Sequence, residues 1–478
     1  MSKRQRGADV TNQADVARRG LVSVNRLDYT LQPDLSVAVA RSAKRHFFQQ
    51  QEYTPGNRAI CILNSGAEYI DPQNSFLRFD VTIPSTAVDH GLNLGCGSGA
   101  NFIKQIILTS RSGDELERIE QVSQLAPILD RYMNSTDWIN TTGEHIGYYN
   151  GKQSGSTITG ASTEDFRNSL TVLGGWEGYS RHGVWNEVGA NDTLKPQIGA
   201  FLPSSTNTRQ KTFIIPLSCL SGMFRSFDRL IPSMLASGMR IEIEFETGGD
   251  AGIWQPTTVS GQEKYTVSNL EIVCDQYQLT DSIMRVLNEE AAMRGLEVVF
   301  STWYNHDAAQ GAKNSYNVQI RKAVSRALGV LSRIQYLPNT DPKKDNHLSA
   351  QNDLLSYQVR VGALYFPQQA IKSTDIKTNA AELYQHTLRG FGKYKTPQAP
   401  SGVSLRDYEG DATHSLMAIY TDLERSNTQK LTGIPINNSR VAEIMLTRVS
   451  SVPTCRLNTY LHYVRLLRVF LQNVEVEE

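Results

Sequence analysis

The sequence predicts a mainly β protein built as two consecutive antiparallel sandwiches. Three observations carry that expectation. Apolar and polar residues alternate with period two in many short runs, helical segments are few and short, and the two halves of the chain follow a similar plan.

The alternation is clearest in three places. Phe76–Ile83 puts Leu77, Phe79, Val81 and Ile83 on one face and Arg78, Asp80 and Thr82 on the other. Arg240–Glu246 alternates without a fault, and Asn473–Glu478 repeats the pattern at the end of the chain. Successive side chains of a strand point to opposite sheet faces, so this pattern suits a half-buried antiparallel strand. Further strands are expected at Ala59–Leu63, Phe102–Thr109, Thr212–Leu217, Thr266–Cys274, Val298–Trp303, Leu328–Tyr336, Ser356–Tyr365, Val441–Val449 and Tyr460–Phe470.

Three helices are expected. One begins at Asp114 as N-cap, with acids in its first turn, and runs to about Tyr132 unless Pro127 ends it. Another spans Asp281–Arg294 and stops at Gly295. The third spans Thr378–Arg389 and closes at Gly390. Residues 134–211 are rich in Gly, Ser, Thr and Asn, interrupted by Trp138, Trp176, Tyr179 and Trp185, and predict a long loop with aromatic anchors. Residues 392–411 predict a second such loop.

In each half a strand leads to a helix, then a long loop, then alternating strands. The expected organisation is a basic N-terminal arm over 1–58, a first sandwich over 59–280, a linking helix over 281–295 and a second sandwich over 296–478.

Composition narrows the function. With 48 basic and 48 acidic residues the formal net charge is zero, which argues against a general polyanion binder. No run of about 18 apolar residues is present to span a membrane as a helix. The basic start at Met1–Arg6 has no apolar run behind it, so a secretory signal is not expected. Cys61, Cys96, Cys219, Cys274 and Cys455 lie far apart, form no CxxC pair, and read as buried thiols in a reducing compartment.

Catalytic motifs find no foothold. Leu92–Gly99 looks like the glycine-rich loop of S-adenosylmethionine methyltransferases, but Asn93 stands where an acid is usual and the segment that follows reads as strand. An ordinary glycine turn is the expectation. His46, His90, His145, His182, His306, His347, His386, His414 and His462 never fall two to four apart, so no local imidazole pair can hold a metal, and the HxH motif of bicupins is missing. No catalytic residue, metal site or cofactor is expected. Sequons at Asn134, Asn140, Asn191 and Asn437 carry little weight without a secretory signal.

The N-terminal fifty residues carry nine Lys or Arg against four Asp, a net of +5 balanced by −5 elsewhere. Lys3, Arg4, Arg6, Arg18 and Arg19 are therefore the candidate contacts to nucleic acid, a lipid surface or a neighbouring subunit; a solvated tail is the bland alternative.

Four segments in order resemble the double jelly-roll major capsid proteins of tailless icosahedral DNA viruses, above all those of Polinton-like viruses and virophages. Ala67–Phe79 is similar to the opening strands of their first jelly roll. Ile215-Pro216-Leu217 followed by Leu230–Arg240 looks like the stretch that closes it. Arg360–Pro367 and the terminal block Tyr460–Glu478 are similar to parts of the second roll. The resemblance implies two eight-stranded jelly rolls, a homotrimeric pseudo-hexagonal capsomer, and a place in an icosahedral virion capsid assembled inside the host cell. It also implies lateral capsomer contacts, penton and minor capsid proteins as partners, and an inner face toward genome or membrane that the basic arm would meet. A non-catalytic carbohydrate- or receptor-binding two-sandwich protein is the alternative, since aromatic-bearing β loops also suit sugars.

Overall fold

The computed structural model describes residues 38–83, 98–148, 209–247, 265–309, 314–336, 354–372, 380–394, 400–409, 416–423, 433–448, 455–471 and 473–477 of the 478-residue chain. The first half contains β1 (Ala38–Phe47), β2 (Glu52–Tyr53), β3 (Arg58–Ile62), β4 (Tyr69–Ile83), β5 (Ile103–Thr109), β6 (Glu115–Glu120), β7 (Arg209–Pro216), β8 (Arg240–Phe245) and β9 (Thr266–Leu279). They form two facing antiparallel sheets, ordered β1-β9-β4-β7 and β3-β8-β5-β6, with β2 added beside β9.

The second half repeats this wrapping. Its strands are β10 (Leu296–Ala309), β11 (Ser315–Ile320), β12 (Val324–Tyr336), β13 (Leu354–Val361), β14 (Leu364–Lys372), β15 (Ile419–Asp422), β16 (Ile434–Ile436), β17 (Ala442–Arg448), β18 (Cys455–Val469) and β19 (Val474–Glu477). The sheet orders are β10-β18-β12-β15 and β11-β17-β13-β14, with β16 and β19 attached to β12 and β18. In both halves the first long strand pairs with the last, and the strands alternate between sheets as the chain winds. That is the jelly roll, present twice.

Alternation produces these sheets as expected. Ile241, Ile243 and Phe245 are fully buried on β8 while Glu242 and Glu244 lie on the outer face. Inside the first roll Phe79, Phe102, Phe213 and Tyr265 form a ring cluster with centroids 4.9–6.3 Å apart. Glu271 on β9 takes Arg45 from β1 and Arg78 from β4 on the outer face. Glu244 on β8 likewise takes Arg58 from β3 and Lys104 from β5.

Among the described residues eight α-helical segments join the strands: α1 (Val122–Met133), α2 (Thr136–Asn140), α3 (Leu217–Leu220), α4 (Gly222–Ser226), α5 (Ser233–Ala236), α6 (Asp281–Met293), α7 (Ala381–Gly390) and α8 (Leu405–Glu409). Helix α6 follows β9 and precedes β10 in the chain, and Gly295 after it has φ +76°.

Four sequence expectations need correction. Asp114 caps no helix: Glu115–Glu120 is strand β6, hairpinned to β5 across a Ser110–Asp114 turn, and the Asp114 carboxylate accepts from Ser110 and Ser112. The helix starts at Val122 and carries Pro127 inside it, because burial along nearly its whole length outweighs one lost hydrogen bond. Ser356–Tyr365 is not one strand but the turn of a hairpin, reversed at Gly362 with φ +60°. Residues 38–47, assigned to the arm, are strand β1. Its inward positions Ser42, Lys44 and His46 are polar, which hid the alternation.

The third helix ends at Gly390, but Gly392, at φ +69°, takes the left-handed position; a side chain on Gly390 would overlap the Tyr420 ring. The two expected long loops contain short helical turns, α2 and α8.

Candidate assembly interface

The joint between the rolls is the best-defined polar feature of the described residues. β6 of the first roll packs on β10 of the second. Glu117 on β6 is fully buried there, although its neighbours Leu116 and Ile119 are ordinary core residues. Its carboxyl accepts from Gly222 N (2.9 Å), Met223 N (3.3 Å), Thr302 Oγ1 (2.5 Å) and Ser221 Oγ. Ser221 is the N-cap of α4, so Glu117 meets two N–H groups of a helix start and hydroxyls from both rolls. Burial pushes its carboxyl above the ordinary value, and the four donors pull it back. Gly222 is required: a Cβ there would sit 2.2 Å from Ser301 O and 2.7 Å from Glu117 Oε1.

A second set of bonds runs from α1 to the other roll. Tyr132 donates to Leu416 O at 2.8 Å and accepts from Ala418 N at 3.2 Å, with its ring stacked on Phe391. Arg333, buried on β12, donates to Gln124 Oε1 at 2.8 Å. Tyr460 on β18 donates to Gln121 O at 3.2 Å. The two rolls are thereby held by directional bonds as well as by a shared apolar core.

Beneath this joint Asp130 is fully buried, accepting from Tyr148 Oη at 2.8 Å with Arg225 at 3.5 Å. Burial pushes the Asp130 carboxyl up, and Arg225 opposes the shift. His462 stacks on Trp303 at 4.2 Å and bonds Tyr420 Oη through Nδ1 at 2.9 Å. Burial lowers its pKa to about 3, so the imidazole is neutral. The Cys61 and Cys274 thiols are pushed up to about 12 by burial, which leaves them poor nucleophiles. These groups are positioned to hold structure rather than to exchange protons. Among the described residues no group of three or more His, Cys, Asp or Glu could hold a metal.

The candidate contacts Lys3, Arg4, Arg6, Arg18 and Arg19 lie outside the described residues, as do Trp176 and Trp185 of the long loop. Trp138 is described; it packs against the core, its ring 6.2 Å from that of Tyr148. Of the glycine-rich motif only Ser98 and Gly99 are described. Ser98 caps a single 3-10 turn that runs straight into β5, an antiparallel strand.

The charge reading of the arm changes. Arg41, Lys44 and Arg45 lie on β1 and pair with Asp275, Glu68 and Glu271. Residues 1–37 retain six Lys or Arg against four Asp, a net of +2 instead of +5.

An open cleft of about 570 Å³ runs between α6 and the rolls, lined by Phe227, Leu279, Ile283 and Leu287 together with charged residues such as Arg229 and Glu290. Sequence reasoning missed this cleft and the Glu117 joint. β6 reads Glu115-Leu116-Glu117-Arg118-Ile119-Glu120, so nothing in the sequence set the buried Glu117 apart from its charged neighbours.

Comparison with solved structures covers almost the whole chain. The Faustovirus major capsid protein aligns with a TM-score of 0.56 and 10% identity over 94% of this chain and 94% of that one. A chain of the Sputnik virophage, solved by cryo-EM, aligns with a TM-score of 0.54 and 12% identity over 95% of this chain and 92% of that one. The mavirus major capsid protein aligns with a TM-score of 0.50 and 9% identity, covering 94% and 92%. No family model and no curated protein matches the sequence. The shared feature is the fold, two jelly rolls in one chain.

Proposed function

We propose that this chain is a major capsid protein that assembles as a homotrimer, each trimer supplying a pseudo-hexagonal tile of an icosahedral shell. The observation that carries the reading is the repetition of one jelly-roll topology in two halves tied across a buried joint. Three such chains supply six similar rolls, the number a pseudo-hexagon needs, and a tile has to be rigid. The whole-length likeness to the Faustovirus and mavirus major capsid proteins supports it.

In this reading the protein acts without catalysis, in the virion capsid, and its partners are itself, penton and minor capsid proteins. The chain divides into the segment before β1, a roll, the linking helix α6 and a second roll. Lys3, Arg4, Arg6, Arg18 and Arg19 face inward, toward genome phosphate or a lipid surface, with a strength set by the smaller net charge of +2. Native mass decides the central claim. A particle of three times 53.3 kDa with a hexagonal outline in electron micrographs is expected. A stable monomer that binds glycans would instead favour a carbohydrate-binding two-sandwich protein.

A further inference from the structure

We propose that residues 27–37, the stretch leading into β1, dock in the cleft beside α6 of the same copy and anchor the basic arm there. The contact lies within one chain and does not depend on trimer formation.

Chain continuity supplies the occupant. Ala38, the first residue of β1, is paired with Leu279 at the end of β9, and Leu279 lines the cleft. The two strands are antiparallel, so the chain traced back from Ala38 heads past the end of β9 toward the start of α6 at Asp281. Eleven extended residues reach about 36 Å, against about 20 Å for the thirteen residues of α6.

The sequence of that stretch suits a surface with one apolar side. Leu27, Tyr29, Leu31, Pro33, Leu35 and Val37 alternate without a break with Asp28, Thr30, Gln32, Asp34 and Ser36. An extended segment puts the two sets on opposite faces, and the apolar face calls for cover.

The cleft has two matching needs. Helix α6 buries Ala291 alone of its thirteen residues, and Ile283 and Leu287, one turn apart, are half-buried along the cleft. A helix draws most of its stability from packing an apolar face, and the docked segment extends that packing. Tyr69 is buried in the cleft wall. Ser233 lies near enough to oppose the rise that burial gives its phenol, yet Oη has no hydrogen-bond partner of ordinary geometry among the described residues. A backbone laid across the cleft offers carbonyl oxygens to that donor. Docking there makes the arm leave the body of the protein at α6, with residues 1–26 carrying six Lys or Arg against Asp9 and Asp15, a net of +4.

Photocrosslinking in the full-length protein tests the contact. p-Benzoylphenylalanine in place of Glu290, an exposed residue of the cleft, should link to a peptide within residues 27–37. In a mixture of copies labelled with light and heavy nitrogen, both linked peptides should carry the same isotope. Links between isotopes give the cleft to a neighbour's segment, and links elsewhere in the chain, or none, give it to another occupant or to solvent; each of these overturns the proposal. Hydrogen exchange supplies a second readout. Tyr29→Asp with Leu31→Asp should speed exchange of the Asp281–Met293 amides at least tenfold, whereas Thr30→Asp with Gln32→Asp on the opposite face should not. Equal α6 protection in both variants also overturns the docking. Native mass, read on the same samples, keeps the two readings apart. A trimer without the link removes the docking alone, and a monomer with it removes the capsomer reading alone.

Discussion

Thr302 Oγ1 on β10 donates to Glu117 Oε1 on β6 at 2.5 Å, a bond between residues 185 positions apart that ties one jelly roll to the other. Its acceptor is a carboxyl with no exposure to water, surrounded by donors from a helix start and from both rolls.

Removing that acceptor should be the costliest polar change at the joint. Glu117→Ala leaves buried hydroxyls and N–H groups without partners, at about 1–3 kcal/mol for each group so stranded. A loss of about 3 kcal/mol or more is expected by denaturant titration. Gly222→Ala should also destabilise, since its Cβ would meet Ser301 O. If Glu117→Ala costs less than about 0.5 kcal/mol, the joint is held by apolar packing alone.

The pH dependence of the same group has a definite sign. Burial raises the folded-state value of Glu117 above its unfolded value. Its contribution to stability is therefore greatest below the ordinary carboxyl range, and declines as pH climbs from there toward the raised value. Glu117→Gln cannot ionise, so its stability difference from the parent should shrink as pH rises through that window. A difference that stays constant with pH would contradict the assignment.

His462 should dominate acid sensitivity in the second roll. Its folded value of about 3 lies below the ordinary imidazole range, so the unfolded chain binds a proton that the folded chain refuses. Stability tied to this group is full above about pH 6.5 and falls by roughly 1.4 kcal/mol per unit as pH drops below it. His462→Gln should remove that slope, measured as the difference between the two denaturation curves at pH 4–7. His46, His306 and His386 are also lowered by burial and should leave a smaller residual slope in the variant.

How much of this was legible depended on whether a residue's partner lay on its own strand. β8 could be read directly because Ile243 and Phe245 need only a core behind them, and Glu242 and Glu244 only the outer face. β6 could not: Leu116 and Ile119 fall three apart, as on a helix, and the buried Glu117 between them breaks the alternation. Its burial is satisfied by Ser221 and Thr302, more than 100 residues away. Arg333 and Tyr132 were hidden for the same reason, each finding its partner in the other roll. β1 looked like a basic tail because its cations are matched by acids on β9 and in the turn before β4.

The outer and inner faces of β8 should respond very differently to truncation. Phe245→Ala removes a ring that is fully buried against Tyr53 and should cost about 3–5 kcal/mol. Glu244 sits between Arg58 and Lys104. Burial pushes its carboxyl up, but the two cations together hold it below the usual range. Its stabilisation is present above the ordinary carboxyl value and is lost as pH falls through the lowered one. Solvent screens the pair, so Glu244→Ala should cost under about 1 kcal/mol at neutral pH and less in high salt. Comparable costs for the two variants would mean that another surface covers the outer face.

The arm prediction now separates two groups of cations. Arg41, Lys44 and Arg45 are bound into β1, so neutralising them should act on the fold or on subunit contacts. Lys3, Arg4, Arg6, Arg18 and Arg19 precede β1, and neutralising all five turns the first 37 residues from net +2 to net −3. If these five meet phosphate, each contact releases counterions, and the plot of log affinity for duplex DNA against log salt should flatten by up to about 0.9 per lost contact. The trimer mass and thermal midpoint should stay unchanged, because all five precede β1 in the sequence and none belongs to the described strands. A variant neutralised at Arg41, Lys44 and Arg45 supplies the control: its DNA affinity should track any loss of assembly rather than the salt slope. Equal DNA binding by parent and five-fold variant at every ionic strength would assign the arm to a neighbouring subunit or to solvent, and genome contact would have to come from another face.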